Sequence, residues 1–186
     1  GAVVFVKIEK DSLKTLFTYK STESNVYFQT PVWNQNTMWV EVYKYNSQSR
    51  ELWQYDMATK QVKTFTKSDV PQLSSAINQT FMDSKGVLWV LQNGRVLRYS
   101  EGAWEVQNYA SFLKPTYIAE DAQNNIYVLV QTQGSGFTNS YIRKITPAAV
   151  VTNYHKIVNR YISTFDFASD GTIYYSNGGS IIKSAI

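Results

Sequence analysis

The sequence contains one histidine, His155, and no cysteine. Nucleophilic catalysis by a Ser-His-Asp or Cys-His arrangement needs a histidine beside a nucleophile and an orienting acid. The sequence has no Gly-x-Ser-x-Gly nucleophile elbow, and the lack of cysteine excludes disulfides, thiolate metal sites and cysteine nucleophiles. We therefore interpret His155 as a structural residue near the end of a strand.

The acidic residues form two groupings, Glu120-Asp121 and Asp166…Asp170. Neither matches the Asp-x-Asp-x-Asp pattern of a calcium loop, and Asp121 is better interpreted as a turn residue that caps its own hairpin. Carboxylates from several segments could still meet as the pair that glycosidic cleavage needs. A carbohydrate-active hydrolase or lyase is therefore the alternative function, although we predict no catalytic residue, no cofactor and no metal site.

The remaining chemistry is recognition by polar and aromatic side chains in loops. Asn, Gln, Ser and Tyr can form hydrogen bonds with hydroxyl or peptide groups, and aromatic faces add stacking surface for sugars or side chains. The candidate binding residues are Tyr45, Gln92, Asn93, Arg95, Gln133, Phe137, Asn139, Arg160 and Asn177.

A repeat along the chain predicts where these loops lie. Four segments place a turn residue three positions before an aromatic residue, and the aromatic residues recur about every 40–50 residues. Because Asn and Gly tolerate the positive φ of tight hairpin turns, each segment predicts two antiparallel strands joined by a turn. The pairs are Asn36 with Trp39, Gly86 with Trp89, Asn124 with Tyr127, and Gly171 with Tyr174.

Each segment continues into a third strand, and all but the last into a fourth. No stretch has a convincing helical period, so we expect almost no helix. Four short antiparallel strands repeating every ~40–50 residues are typical of a β-propeller blade. We predict an all-β chain, a β-propeller of about four four-stranded antiparallel blades, with the opening aromatic residues packed between blades. The blade-like units are 1–20 (partial), 25–66, 76–108, 116–154 and 162–186 (partial).

Composition agrees with this prediction and excludes other classes of protein. Aromatic residues make up 15% of the chain, with 14 Tyr, 9 Phe and 5 Trp, which favours β-structure. The net charge is +4, but no basic stripe stands out, so we expect no nucleic-acid partner. No apolar run approaches the ~20 residues of a membrane-spanning helix.

One unit resembles the propeller repeats of bacterial two-component sensor periplasmic domains. The similarity lies in the Asp83-x-x-Gly86-x-x-Trp89 core and the Asn93-Gly94 hairpin that follows it. The later units resemble the looser repeats of many secreted propellers, since Ala168 replaces the aspartate and Tyr replaces Trp in two units. The resemblance implies a propeller fold, a recognition role, a periplasmic or extracellular bacterial location, and no catalytic residue.

The two ends of the chain leave the size of the propeller open. Residues 3–9 and 14–19 align best with third and fourth strands, and the last unit lacks a fourth strand. The units could form a closed small ring, completed by residues 14–19, or an arc of a larger propeller. An arc would expose strand edges and favour self-association.

Together these observations predict a non-enzymatic recognition or sensor module. It would form one domain over residues 1–186 and bind a glycan or a protein partner through its loop face. The alternatives are the hydrolase or lyase above and a structural segment of a larger sensor propeller.

Overall fold

The structure is a computed structural model that describes residues 2–10, 12–20, 22–108, 113–132, 139–146, 151–157, 161–177 and 179–184. Regular structure in these residues is antiparallel β-strand, with one 3-10 turn, η1 (Pro71–Ser74). The all-β prediction is therefore confirmed, and the chain divides into two units, Gly1–Ser74 and Ser75–Ile186.

The first unit contains a two-stranded sheet and a five-stranded sheet. The strands are β1 (Ala2–Glu9), β2 (Ser12–Lys20), β3 (Val26–Phe28), β4 (Val32–Trp33), β5 (Thr37–Lys44), β6 (Ser49–Asp56) and β7 (Val62–Phe65). Strands β1 and β2 pair with each other, and the second sheet has the order β3-β5-β6-β7, with β4 also paired to β5.

The five-stranded sheet departs from the four-stranded unit that the sequence predicts. Its first strand is divided into β3 and β4 by residues 29–31, and both pieces pair with β5. Pro31 ends the interruption, and a proline cannot donate a ladder hydrogen bond. The interruption also shifts the register, since residues 29–31 lie opposite only residues 40–41 of β5.

The second unit contains three sheets that follow one another along the chain. The first two have four strands, in the orders β11-β10-β9-β8 and β12-β13-β14-β15, and the third has the order β16-β17-β18. The strands are β8 (Ile77–Met82), β9 (Leu88–Gln92), β10 (Arg95–Ser100), β11 (Ala103–Asn108), β12 (Leu113–Glu120), β13 (Ile126–Thr132), β14 (Ser140–Ile145), β15 (Val151–Ile157), β16 (Thr164–Phe167), β17 (Ile173–Ser176) and β18 (Ile181–Ser184).

Strand β13 shows how these sheets stack. Ile126, Val128 and Val130 pack into a core with residues of the first sheet, such as Leu91. The alternate residues Tyr127 and Leu129 pack into a second core with residues of β16 and β17. Because successive side chains of a strand point to opposite faces, β13 is buried on both faces. Each fully buried aliphatic side chain contributes about 1.5–3 kcal/mol to the free energy of folding.

The first unit has its own aromatic core. Trp53 packs edge-on against Phe17, Tyr19 and Phe28, with ring centroids 4.6–6.3 Å apart. The Tyr55 hydroxyl donates a hydrogen bond to the Leu16 carbonyl at 2.6 Å. These contacts hold the two-stranded sheet against the face of the five-stranded sheet.

An aspartate closes the turn between β8 and β9. Asp83 Oδ1 accepts the backbone N–H groups of Lys85 and Val87, and its Oδ2 accepts the indole N–H of Trp89 at 2.9 Å. The Trp89 side chain is buried in the core between the first two sheets. The Asp-x-x-Gly-x-x-Trp motif therefore joins turn geometry to core packing.

Asp121 plays the same role between β12 and β13. Its carboxylate accepts the N–H groups of Gln123 and Asn125 and the hydroxyl hydrogen of Tyr127 at 3.0 Å. Burial alone would raise the pKa of Asp121, but the hydrogen bonds from Asn125, Tyr127 and Gln123 together lower it. The interpretation of Asp121 as a turn cap is confirmed.

The positive φ expected at the turn residues occurs in three of the four segments. Asn36 is the exception, since it does not appear among the described residues with positive φ. There Asn34 Oδ1 accepts the N–H groups of Asn36 and Thr37 instead, so the side chain shapes the turn. The three residues that agree are Gly86 (80°), Asn124 (61°) and Gly171 (83°).

Candidate functional site

Three tyrosines form an exposed strip where β3 and β5 meet the β5–β6 turn. Tyr27 and Tyr43 are cross-strand partners whose rings stack with centroids 6.4 Å apart, and Tyr45 meets Tyr43 edge-on at the same distance. Tyr27 is 52% exposed and Tyr45 is 58% exposed. We call Tyr27, Tyr43 and Tyr45 the tyrosine strip, and it presents aromatic faces to solvent.

A buried ion pair supports the centre of the strip. The Arg50 guanidinium lies 4.4 Å from the centroid of the Tyr43 ring, and Nη1 donates to Glu41 Oε1. Burial raises the pKa of the Glu41 carboxyl, and the Arg50 guanidinium opposes that rise. Since Glu41 is only 2% exposed, it fixes the guanidinium, and the guanidinium in turn fixes the Tyr43 ring.

Hydrogen bonds to residues 24 and 25 fix the turn that carries Tyr45. The Tyr45 N–H donates to the Asn25 carbonyl at 3.0 Å, and Asn46 Nδ2 donates to the Ser24 carbonyl and hydroxyl oxygens. The strip is therefore organised before any ligand arrives, which reduces the conformational entropy lost on binding.

The structure brings three other sequence candidates together at the β9–β10 turn. Gln92 is fully buried, and its Nε2 donates to the Ser75 carbonyl at 2.9 Å. The exposed Asn93 accepts a hydrogen bond from Asn78 Nδ2 at 3.1 Å, and Arg95 is the cross-strand partner of Gln92. Asn93 is exposed and Arg95 is half-buried, whereas Gln92 links the hairpin to the chain entering β8. A binding role for these residues stays a prediction.

The other candidates lie on separate hairpins or outside the described residues. The Asn139 N–H donates to Thr132 Oγ1 and its carbonyl accepts the Thr132 N–H, at the base of the β13–β14 connection. Asn177 is exposed after β17, and its N–H donates to the Ser180 carbonyl. Gln133, Phe137 and Arg160 lie outside the described residues, so their assignment stays a prediction.

Sequence reasoning found Tyr45 but missed Tyr27, Tyr43 and Arg50. The alternation of Tyr43 and Tyr45 is visible in the sequence and places both on one side of a strand. The pairing of Tyr27 with Tyr43 depends on the register between β3 and β5, which residue spacing does not reveal. The tyrosine strip can therefore be recognised only once the pairing of β3 with β5 is known.

His155 lies in β15, a fourth strand of its sheet, as expected. Its Nε2 is 3.3 Å from the hydroxyl of Ser184 in β18. In the part of the chain that the structure describes, no carboxylate contacts the ring, and no three His, Asp or Glu side chains are grouped as metal ligands. The same residues include no helix with the length and apolar character of a membrane span.

Comparisons with known proteins identify similar folds. No protein-family model and no curated protein matches the sequence. Among solved structures, the chain is similar to the extracellular domains of two B. thetaiotaomicron proteins, one assigned as a one component system and one as a hybrid two component system. The first has a TM-score of 0.56 at 12% identity over 94% of this chain, and the second 0.56 at 15% over 97%.

A third similar structure is a protein of unknown function from Bacteroides caccae, with a TM-score of 0.53 at 12% identity over 91% of this chain. The chain spans only 28% and 27% of the two B. thetaiotaomicron structures and 62% of the third. At these identities the similarity establishes the fold alone.

Proposed function

We propose that this chain is a non-enzymatic recognition module of β-propeller architecture. In this proposal it belongs to a periplasmic or extracellular bacterial sensor and binds a glycan or a protein partner through the loop face. Two findings support the architecture. The four-stranded sheets follow one another along the chain, and the fold is similar to extracellular domains of one and two component systems.

The tyrosine strip is the observation that carries the recognition role. Exposed aromatic groups gathered in one patch mark binding surfaces more often than isolated ones do. Tyrosine supplies a flat apolar face and a hydroxyl at a low entropy cost, which suits both sugars and protein side chains. At the β9–β10 turn of the second unit, Asn93 and Arg95 offer hydrogen-bonding groups of their own.

The test compares two double variants of the purified chain. Tyr27→Ala with Tyr45→Ala removes the exposed rings of the strip, and Tyr161→Ala with Tyr174→Ala removes two exposed tyrosines of the second unit, which are 60% and 37% exposed. Both are screened on a glycan array and in pull-downs from periplasmic and extracellular fractions. We expect the strip variant alone to lose binding, by about tenfold or more for two stacking rings.

Both screens coming up empty on the folded wild-type chain would count against the recognition role. A ligand that binds the two double variants equally would move the site away from the strip. Retention on the array and not in the pull-down would identify a glycan, and the reverse would identify a protein.

A further inference from the structure

The second unit contains a cleft that the proposed recognition surface does not use. It lies beside the turns that join first and second strands, at the opposite end of the strands from the β9–β10 turn. Its volume is about 270 Å³, and its lining includes Asp121, Tyr127, Lys144, Tyr154, Phe167 and Ala168. The cleft is formed where the sheet β12–β15 meets the sheet β16–β18.

Aromatic rings form the wall of this cleft. The Tyr127 ring centroid lies 4.9 Å from that of Tyr154 and 4.4 Å from that of Phe167. The angles between the ring planes are 71° and 47°. Burial and the hydrogen bond to Asp121 raise the pKa of the Tyr127 hydroxyl, so it stays neutral. The aromatic part of the wall is therefore uncharged. The Asp121 carboxylate also lines the cleft, and both of its oxygens already accept hydrogen bonds from the protein, from Asn125 and Tyr127 among others.

Lys144 brings a positive charge to this wall. Its Nζ lies 5.6 Å from the Tyr127 ring centroid, and among the described residues no carboxylate lies within ion-pair distance of it. Its cross-strand neighbour in β15 is Thr152. In the described part of the chain, the Lys144 ammonium thus lines the cleft without a direct ion pair.

The preceding junction, between the sheets β8–β11 and β12–β15, has the same plan but is neutralised. There Arg98 lies over the Trp89 ring at 5.7 Å, as Lys144 does over Tyr127. However, the cross-strand neighbour of Arg98 is Glu105, whose Oε2 is 3.8 Å from its Nη1. The cavity beside these residues measures only about 50 Å³.

The preceding junction is also closed by hydrogen bonds between its turns. The Ser84 N–H and hydroxyl both donate to the Glu120 carboxylate, and Asn124 Nδ2 donates to Ser84 Oγ. In the repeat, Ala122 occupies the position of Ser84 and Phe167 that of Glu120. An alanine and a phenylalanine cannot form that polar bridge at the second junction. Ala122 and Phe167 line the cleft instead.

We propose that the cleft between β12–β15 and β16–β18 binds a small aromatic carboxylate. Its carboxylate would pair with the Lys144 ammonium, and its ring would pack against Tyr154 and Phe167. The volume suits a single-ring molecule, since ligands larger than a fragment need about 300 Å³ or more. An anion held at an aromatic wall gains from partial exclusion of water, which strengthens the ion pair.

The test uses phenylacetate as the probe and benzyl alcohol as its neutral counterpart. Binding is followed by chemical-shift changes in two-dimensional NMR spectra of the full chain. We expect phenylacetate to shift resonances of residues 121–127, 144 and 167–171, and to bind at least about tenfold more tightly than benzyl alcohol.

Two variants assign the interaction. Lys144→Met removes the charge while keeping the stem, and should weaken phenylacetate binding about tenfold without changing that of benzyl alcohol. Arg98→Met is the matched control at the neutralised junction and should leave both affinities unchanged. Thermal unfolding of each variant verifies that it is folded, and Ala168→Leu, which fills the cleft, should abolish binding of both probes.

The proposal is overturned by any of three results. The first is the absence of specific chemical-shift changes with phenylacetate at 10 mM, about the concentration that reveals millimolar affinity. The second is equal affinity for phenylacetate and benzyl alcohol. The third is unchanged phenylacetate affinity in Lys144→Met. The tyrosine strip plays no part in this experiment, so its outcome is independent of the recognition role.

Discussion

Turn aspartates make the stability of this protein sensitive to acid. Hydrogen bonds from backbone N–H groups lower the pKa of three aspartates below the usual 3.8, with Thr59, Thr66 and Thr172 as the main donors. Those aspartates are Asp56, Asp69 and Asp170. Asp121 shows the same direction because several hydrogen bonds together outweigh its burial. Each ionised carboxylate therefore favours the folded state.

The sign of the pH dependence follows from these shifts. A carboxyl group with a lowered pKa contributes stability that is present above its unfolded value of 3.8 and is lost as the pH falls through the folded value. Glu41 acts in the opposite sense, because burial raises its pKa and protonation then favours the folded state. Among the described carboxyl groups with a shifted pKa, four aspartates therefore act against Glu41.

We therefore expect the unfolding temperature to fall as the pH is lowered from about 5 to about 2.5. Differential scanning calorimetry across this range measures the effect. Asp121→Asn keeps an acceptor oxygen but cannot titrate, so its unfolding temperature should depend less steeply on pH than that of the wild type. A temperature that rises on acidification would mean that Glu41 outweighs the turn aspartates.

At the scale of elements, the turn chemistry was the most predictable feature. The residue types of Ser100-Glu101-Gly102 favour a turn, and these residues form the two-residue hairpin between β10 and β11, with φ of 52° at Glu101 and 84° at Gly102. Positive φ at both central residues defines a type I′ turn, whose twist matches that of the flanking strands. Local residue types were enough to predict this turn, because it depends only on residues that tolerate positive φ.

Gly102→Ala should destabilise the chain by about 1 kcal/mol. A methyl group at this position would meet no atom within 4 Å, so the loss comes from backbone strain and not from a clash. Gly179→Ala is the matched control, since its surroundings are equally open and its φ is not in the left-handed region. Urea unfolding of both variants measures the difference.

The control should be neutral, or stabilising by up to about 1 kcal/mol through the unfolded chain. Equal losses in the two variants would show that positive φ is not the cause. Gly102→Asn should recover part of the loss, because asparagine tolerates this conformation better than alanine does.

Contacts between strands and sheets were much less predictable than turns. The repeat located the aromatic residues but not the division of one first strand at Pro31, because that depends on which N–H groups the ladder uses. Lys144 and Arg98 look alike in sequence, and only their cross-strand neighbours, Thr152 and Glu105, distinguish them. Such differences depend on register, which a single sequence specifies weakly.

At the scale of the whole molecule, exposed apolar side chains on strands affect whether copies of the protein associate in solution. Four apolar side chains on the two-stranded sheet and on β18 are exposed: Val4 (49%), Val6 (46%), Leu13 (70%) and Ile181 (79%). Scattered exposed aliphatic residues are ordinary on a protein surface. Here they lie on strands, where apolar side chains and unpaired edges together favour association.

We expect the isolated chain to self-associate as its concentration rises. Size-exclusion chromatography with light scattering measures the mass, which is 21.3 kDa for one chain. Leu13→Lys combined with Ile181→Lys should shift the population toward that mass, because charged side chains on strands oppose edge pairing. Ser68→Lys combined with Ser169→Lys, which places the same two charges at exposed turn positions outside the strands, is the control and should leave the mass distribution unchanged.

The result also distinguishes the two arrangements of the proposed propeller, a closed ring and an arc. An arc of a larger propeller leaves strand edges unpaired, so copies should associate through them and the lysine substitutions should reduce the mass. A closed small ring leaves only short, protected blade edges, and its mass should stay at 21.3 kDa over the whole concentration range. A constant monomer would therefore contradict the expected association and favour the closed ring, with each loop then belonging to one complete recognition surface.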